Sequence, residues 1–194
     1  MEIVTDKFFL IEVISSILSL FYCIFIIRQK IIAWPFGIVA SFLSISLFYV
    51  KNLYGEAFLH FYYVVVGFYG WYYWNSKKES FPVTTWTWLQ HTLFISIAIC
   101  ISLIASYLLQ TYTDGKNTVL DSLITVFSFL ATYKESRKIL TSWFYWIIIN
   151  GVSTYLCYIR EMYIYALLML IYTFLSIYGQ WEWWKSWKES NSER

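Results

Sequence analysis

Apolar residues fill this chain in long unbroken stretches, and the polar residues gather in short breaks between them. Seven stretches can be drawn, at about 8 to 27, 31 to 50, 57 to 74, 89 to 109, 117 to 133, 141 to 159 and 162 to 181. A helix rises ~1.5 Å per residue, so runs of about 17 to 21 residues can cross a hydrocarbon core ~30 Å thick. The pattern predicts an all-α membrane protein with seven transmembrane helices. The fifth stretch is the weakest, being short and interrupted by Asp121.

Composition agrees, with 59% of the 194 residues hydrophobic and 13% charged, against roughly 25% charged in a soluble domain. Glu2 and Asp6 precede Lys7 where a cleavable leader would be basic, so the first helix is expected to remain in the mature protein. Lysine and arginine set the expected orientation. Lys7, Lys51, Lys116 and Arg160 fall on one side. Arg28, Lys30, Lys77, Lys78, Lys134, Arg137, Lys138, Lys185, Lys188 and Arg194 fall on the other. The richer side is cytoplasmic by the positive-inside rule, which puts the C-terminus inside and the N-terminus outside. Most of the aromatic clusters at the run ends, such as "YGWYYW" and "YGQWEWWKSW", read as an interfacial belt. Cys23, Cys100 and Cys157 lie in separate apolar runs and read as packing residues.

A duplication is hidden in the chain. At an offset of 109 residues, without a gap, Arg28 meets Arg137, Trp34 meets Trp143, Tyr49 meets Tyr158, Lys51 meets Arg160 and Tyr54 meets Tyr163. The same register pairs Tyr69 and Gly70 with Tyr178 and Gly179, Trp74 with Trp183, and Glu12 with Asp121. Charged, aromatic and glycine matches in one register are harder to obtain by chance than apolar ones. The repeats begin four crossings apart and therefore share one orientation. Two parallel three-helix repeats, 8–74 and 117–183, are expected within a single transport domain, 1–194. They are joined by a linker region, 75–116, that carries one inversion helix at 89–109, and residues 184–194 form a cytoplasmic tail. This 3+1+3 plan is the SWEET-like architecture, in which substrate binds near the midplane between repeats.

Polar stripes at helical spacing suggest what lines such a site. The first run offers Glu12, Ser16, Ser19 and Cys23; the fifth offers Asp121, Thr125, Ser128 and Thr132; the third offers His60, Tyr63, Gly67 and Gly70. Small and hydroxyl residues also serve close helix packing, which is the plainer reading of the third-run stripe and the serines. The sixth run differs. Trp143, Trp146, Asn150 and Thr154 share a face, and an asparagine deep in an apolar span is costly without a partner or a polar cavity. Aromatic planes beside an amide that both donates and accepts would hold a flat polar ring.

Glu12 and Asp121 sit about four residues into their runs and have two readings. Each could complement the positive end of a helix dipole, with Thr118 to Asp121 at capping-box spacing. Their symmetry under the repeat equally suggests paired acids at an outer vestibule that draw in a cation, and either could bind a coupling proton. His60 and His91 lack a nearby Cys/His set, so no metal site is expected. No nucleophile triad, phosphate-cradling loop or nucleotide-hydrolysis motif appears. The chain is thus not expected to be an enzyme, to carry a cofactor or to bind nucleic acid.

The stretch "WFYWIIIN" resembles the W-x-x-W-x-x-x-N pattern of the PnuC vitamin transporters, and "FYGWYYW" at Phe68 to Trp74, "IE" at Ile11 to Glu12 and "LDS" at Leu120 to Ser122 are similar to that family too. The resemblance runs over nearly the whole chain. It implies facilitated diffusion across a bacterial cytoplasmic membrane by a rocking pair of three-helix bundles, with a cytosolic kinase trapping the substrate. It also implies substrate contact at Trp143, Trp146 and Asn150, and a homotrimer. The best-known members carry nicotinamide riboside, and relatives carry thiamine or riboflavin. The first two are flat-ringed cations suited to tryptophan faces and nearby carboxylates, whereas riboflavin is uncharged. The first repeat has Gly37 and Ser41 where Trp146 and Asn150 stand, so an asymmetric site is expected. A membrane sensor or scaffold that binds without passing its ligand is the rival from another class.

Overall fold

Seven α-helices occupy the seven predicted stretches: α1 Glu2–Ile27, α2 Ala33–Val50, α3 Tyr54–Ser76, α4 Trp88–Tyr112, α5 Thr118–Ser136, α6 Ser142–Ile159 and α7 Tyr163–Ser192. The computed structural model describes residues 2–50, 54–77, 81–112 and 118–192, with side chains from Phe8 onward. Among the described residues, four helical segments are long and apolar enough to cross a membrane: Phe8–Ile27, Ala33–Val50, Trp88–Tyr112 and Tyr163–Ser192. The other three helices are diluted by polar groups, among them Glu56 and His60 in α3, Asp121, Lys134 and Glu135 in α5, and Asn150 in α6. Much of the surface is apolar, as at Leu89 and Ile164, as a lipid-facing surface requires.

The chain forms two compact units, Met1–Phe81 and Pro82–Arg194. In the first, α1 and α3 each pack on α2. Trp34 of α2 is 2% exposed and meets Trp74 of α3 edge to face, with ring centroids 5.4 Å apart. That approach needs Gly70, because a Cβ there would lie 2.5 Å from the Trp34 ring.

In the second unit α4 packs on α5, α5 on α6, and α6 on α7. The α6/α7 contact repeats that of α2/α3 at the offset of 109. Trp143 and Trp183 meet edge to face at 5.4 Å, and a Cβ on Gly179 would lie 2.6 Å from the Trp143 ring. The tyrosine pairs Tyr49–Tyr54 and Tyr158–Tyr163 also match, at 5.6 and 5.7 Å. So do the turns after α1 and α5, where Gln29 and Lys138 take left-handed φ values of 54° and 51°. Lys30 N donates to Phe25 O, and Ile139 N donates to Lys134 O, both at 2.9 Å. These particular contacts and turns recur at the offset of 109, each within its own unit.

The segment ahead of α4 is tied to the turn between α5 and α6. Thr84 N donates to Lys138 O at 2.9 Å, and Leu140 N donates to Thr84 O at 2.8 Å. At the other end of the unit, residues 184–192, read from sequence as a tail, continue α7. Lys185 lies over Trp181 and Lys188 over Trp184, at 5.7 and 5.5 Å, so the i,i+4 spacing of a helix persists there.

Candidate substrate site on α6

Asn150 stands near the middle of α6 and is 8% exposed. Its Nδ2 donates to Ser176 Oγ on α7 at 3.2 Å. Ser176 in turn donates to Tyr172 O at 2.7 Å. This fixes the amide plane from one side, and among the described residues no group donates to its Oδ1. A buried amide half committed to the fold and half open to a further donor is what ring recognition needs, because an unpaired polar atom in such a place is unfavourable.

The two tryptophans divide the work. Trp143 is turned to α7 and enclosed by Gly179 and Trp183, with 2% of its surface exposed. Its counterpart Trp34 is enclosed in the same way, so this position serves packing in both helix sets. Trp146 is half-buried and lies against a cluster of Ala98, Val126, Leu130, Ala131, Tyr145 and Ile149. Trp143 and Asn150 thus share the α7 side of α6, and Trp146 lies nearer α5.

The hydroxyls of Thr125 and Thr154 donate to backbone carbonyls one turn back, Asp121 O at 2.9 Å and Asn150 O at 2.8 Å, the ordinary way a threonine satisfies itself in an apolar helix. Thr154 also borders an open crevice of about 430 Å³ between α6 and α7, whose other walls include Gly151, Tyr155 and Leu170. That crevice is almost wholly apolar and lacks the donors and acceptors a polar ring would require.

Asp121 has a partner that the sequence reading missed. Arg160, at the end of α6, holds both carboxylate oxygens, at 3.0 and 2.9 Å. The pair is exposed, at 39% and 41%, and joins the start of α5 to the end of α6. Thr118 does not complete the expected capping box in the described geometry; its Oγ1 lies 3.3 Å from Ser106 Oγ. Glu12 occupies the equivalent place in α1, where Ser15 and Ser16 donate to its carbonyl at 3.0 and 2.8 Å. Lys51, the counterpart of Arg160, lies outside the described residues.

In the first unit His60 is stacked on Phe48 at 5.2 Å and meets Tyr63 edge to face at 5.4 Å. Its Nδ1 is buried without a hydrogen-bond partner. Among the described residues no His, Cys, Asp and Glu side chains gather as a metal site.

A second polar centre went unnoticed in the sequence. Lys134, near the end of α5, is wholly buried, with its Nζ 3.9 Å from the ring centre of Tyr145 and 4.6 Å from that of Trp86. His91 Nδ1 reaches Tyr145 Oη at 3.5 Å. In the neighbouring turn, burial pushes the Lys138 ammonium down to about 8. In the sequence the basic residues there read only as markers of orientation.

The sequence profile of the family described as Nicotinamide mononucleotide transporter matches residues 9–185. The chain belongs to this family, that of PnuC. It is 25% identical over 212 aligned positions to the nicotinamide riboside transporter PnuC of Escherichia coli, covering 94% of this chain and 88% of that one. It is 24% identical over 179 positions to the riboflavin/roseoflavin transporter RibM of Streptomyces davaonensis, covering 89% and 84%. Its fold is similar to the crystal structure of the vitamin B3 transporter PnuC, with a TM-score of 0.75 and 21% identity, over 91% of this chain and 81% of that one. Family and fold make the chain a multi-pass membrane transporter and not an enzyme.

Proposed function

We propose that this protein takes up a vitamin-type substrate, with nicotinamide riboside as first cargo, across a bacterial cytoplasmic membrane. The observation that carries the reading is Asn150, buried in α6, oriented by Ser176 and open at its Oδ1 to a donor such as the carboxamide of nicotinamide. Trp146, one turn away and nearer α5, supplies an aromatic face, Trp143 holds α6 against α7, and Thr154 of α6 and Thr125 of α5 add hydroxyl-bearing positions. Glu12, His60 and Tyr63 are the substrate-contact candidates of the first repeat, and Asp121 is a further candidate of the second.

Transport proceeds by alternating access between two parallel three-helix repeats, 8–74 and 117–183, with α4 as the linker that makes the duplication parallel. The recurrence of the Trp34–Trp74 contact as Trp143–Trp183 supports such a plan. Movement is facilitated diffusion, and a cytosolic kinase that phosphorylates the entering substrate makes uptake one-way. The N-terminus lies outside, the C-terminus in the cytoplasm, and the protein assembles as a homotrimer. The chain holds no nucleotide-hydrolysis motif, and Asp121 is already paired with Arg160, so a downhill carrier needs nothing further from these residues.

Thiamine is the alternative cation for the same site, and riboflavin has specific support in the likeness to RibM. Competition ranks them: purified protein loaded with labelled nicotinamide riboside is challenged with each unlabelled vitamin. Nicotinamide riboside should displace the label at the lowest concentration. Displacement by riboflavin at a lower concentration would transfer the assignment to a riboflavin carrier.

A further inference from the structure

Lys134 is an expensive residue to keep where it is. Its ammonium is wholly buried, has no hydrogen-bond partner, and no carboxylate pairs with it among the described residues. Burying an ammonium without a counter-ion or hydrogen bonds costs several times what a cation-π contact returns. The first helix set shows that the fold does not require it. At the offset of 109, Phe25 stands for Lys134 and Phe36 for Tyr145, and those two rings pack at 5.4 Å. An apolar pair therefore suffices at this junction, and the second set departs from it.

Two ring faces cover the ammonium, and a third ring stands beside them. Tyr145 of α6 and Trp86 of the segment ahead of α4 present their faces to Nζ at 3.9 and 4.6 Å. His91 of α4 stands against both, with centroids 6.5 Å from Tyr145 and 5.7 Å from Trp86. Trp86 is held in place from two sides, by the Thr84 backbone pairing with residues 138 to 140 and by Phe94 at 4.6 Å. Ring faces around a cation that makes no hydrogen bonds are the recognition mode for quaternary and N-alkylated nitrogen ligands, since such cations have no N–H to satisfy. An ammonium is the poorer tenant, because its three donors stay unused.

We propose that Trp86, His91 and Tyr145 form a second ligand box for the ring of a flat N-alkylated heteroaromatic cation, and that the tethered ammonium of Lys134 occupies this box until the ring displaces it. The choice of ligand class rests on the cationic cargo proposed above. The box lies at the end of α6 that begins with Ser142, while Asn150 lies two turns along, so a substrate could meet the amide and the box in succession. Competition from Lys134 keeps the box weak, which suits a stage that must release its ligand.

Two readouts on the full-length protein in detergent test this, with 1-methylnicotinamide as the cation and nicotinamide as its uncharged match. In the unaltered protein, reductive methylation of Lys134, followed by peptide mass spectrometry, should speed up several-fold at saturating 1-methylnicotinamide and be unmoved by nicotinamide. Lys134→Met removes the tenant and should tighten 1-methylnicotinamide binding about tenfold, the scale of one well-formed cation-π contact. Adding Trp86→Leu should cancel that gain. Lys134→Phe copies the packing of the first set, fills the box, and should fold without any gain. Unchanged labelling of Lys134 in the presence of the cation would overturn the proposal, as would an equal gain for nicotinamide in Lys134→Met. Neither readout needs flux, so a failure of nicotinamide riboside to cross a membrane would sink the cargo assignment alone.

Discussion

Replacing Asn150 by leucine tests the substrate site at the atom that defines it. The side chains are close in size, so the helix contact survives, and what is lost is the 3.2 Å hydrogen bond from Nδ2 to Ser176 Oγ together with the open Oδ1. Ser176 keeps its own donation to Tyr172 O, so the fold loses one neutral hydrogen bond but no longer buries an amide. Stability should change by about 1 kcal/mol or less. Binding should suffer more, because the substrate donor that met Oδ1 now faces hydrocarbon. A lost partner of this kind costs about 1–3 kcal/mol, or roughly five- to 150-fold in Kd. Ser176→Ala separates orientation from contact: it frees the amide without removing it, and should weaken binding by about 0.5–1.5 kcal/mol. Calorimetric titration of nicotinamide riboside, with thermal unfolding in the same detergent, measures both quantities. Unchanged affinity in a folded Asn150→Leu protein would refute the reasoning and remove Asn150 from the site.

Gly179→Ala should destabilise the second unit by about 1–3 kcal/mol through overpacking against Trp143, while Gly151→Ala, whose Cβ would meet nothing within 4 Å, should not; equal melting temperatures would contradict the packing role given to Trp143. Asp121→Asn should cost under about 1 kcal/mol of stability, as for other exposed ion pairs. It should slow uptake mainly at low ionic strength, and a proton gradient that drives accumulation only when Asp121 is intact would contradict this. Lys138, whose folded pKa is pushed down to about 8, makes the unfolded chain the better proton binder between about 8 and the ordinary lysine value. Stability should therefore rise with pH across that window. Lys138→Gln, copying the residue Gln29 that holds the matching left-handed turn, should flatten the rise, and an unaltered profile would argue against burial as the cause.

Helices were the most legible feature of this sequence, because an unbroken apolar run bounded by charges has few other structures available to it in a bilayer. The offset of 109 is legible as well. The acidic match of Glu12 with Asp121 and the basic match of Lys51 with Arg160 fall in one register, which is the signal in the sequence for the Asp121–Arg160 pair. Taken alone, Asp121 reads as a cap or a vestibule acid, since residues 39 apart are joined only once α5 and α6 are packed. The terminal residues read as a tail because charge ends the apolar run, and Trp181, Trp184, Lys185 and Lys188 carry the i,i+4 spacing with which α7 continues to Ser192. On α6 the one-face reading merged two roles: Trp143 is taken up by Gly179, which lies 36 positions away. The box around Lys134 was the least accessible, since its rings come from residues 86, 91 and 145 and no local spacing connects them.

A transporter must pass its substrate and not only bind it, and proteoliposomes containing only this protein measure passage. Labelled nicotinamide riboside placed outside should equilibrate to equal concentration on both sides, should exchange with unlabelled substrate inside, and should accumulate beyond equality only when a nicotinamide riboside kinase and ATP are enclosed. Saturable binding with no movement of label would contradict the account and leave a membrane ligand sensor in its place.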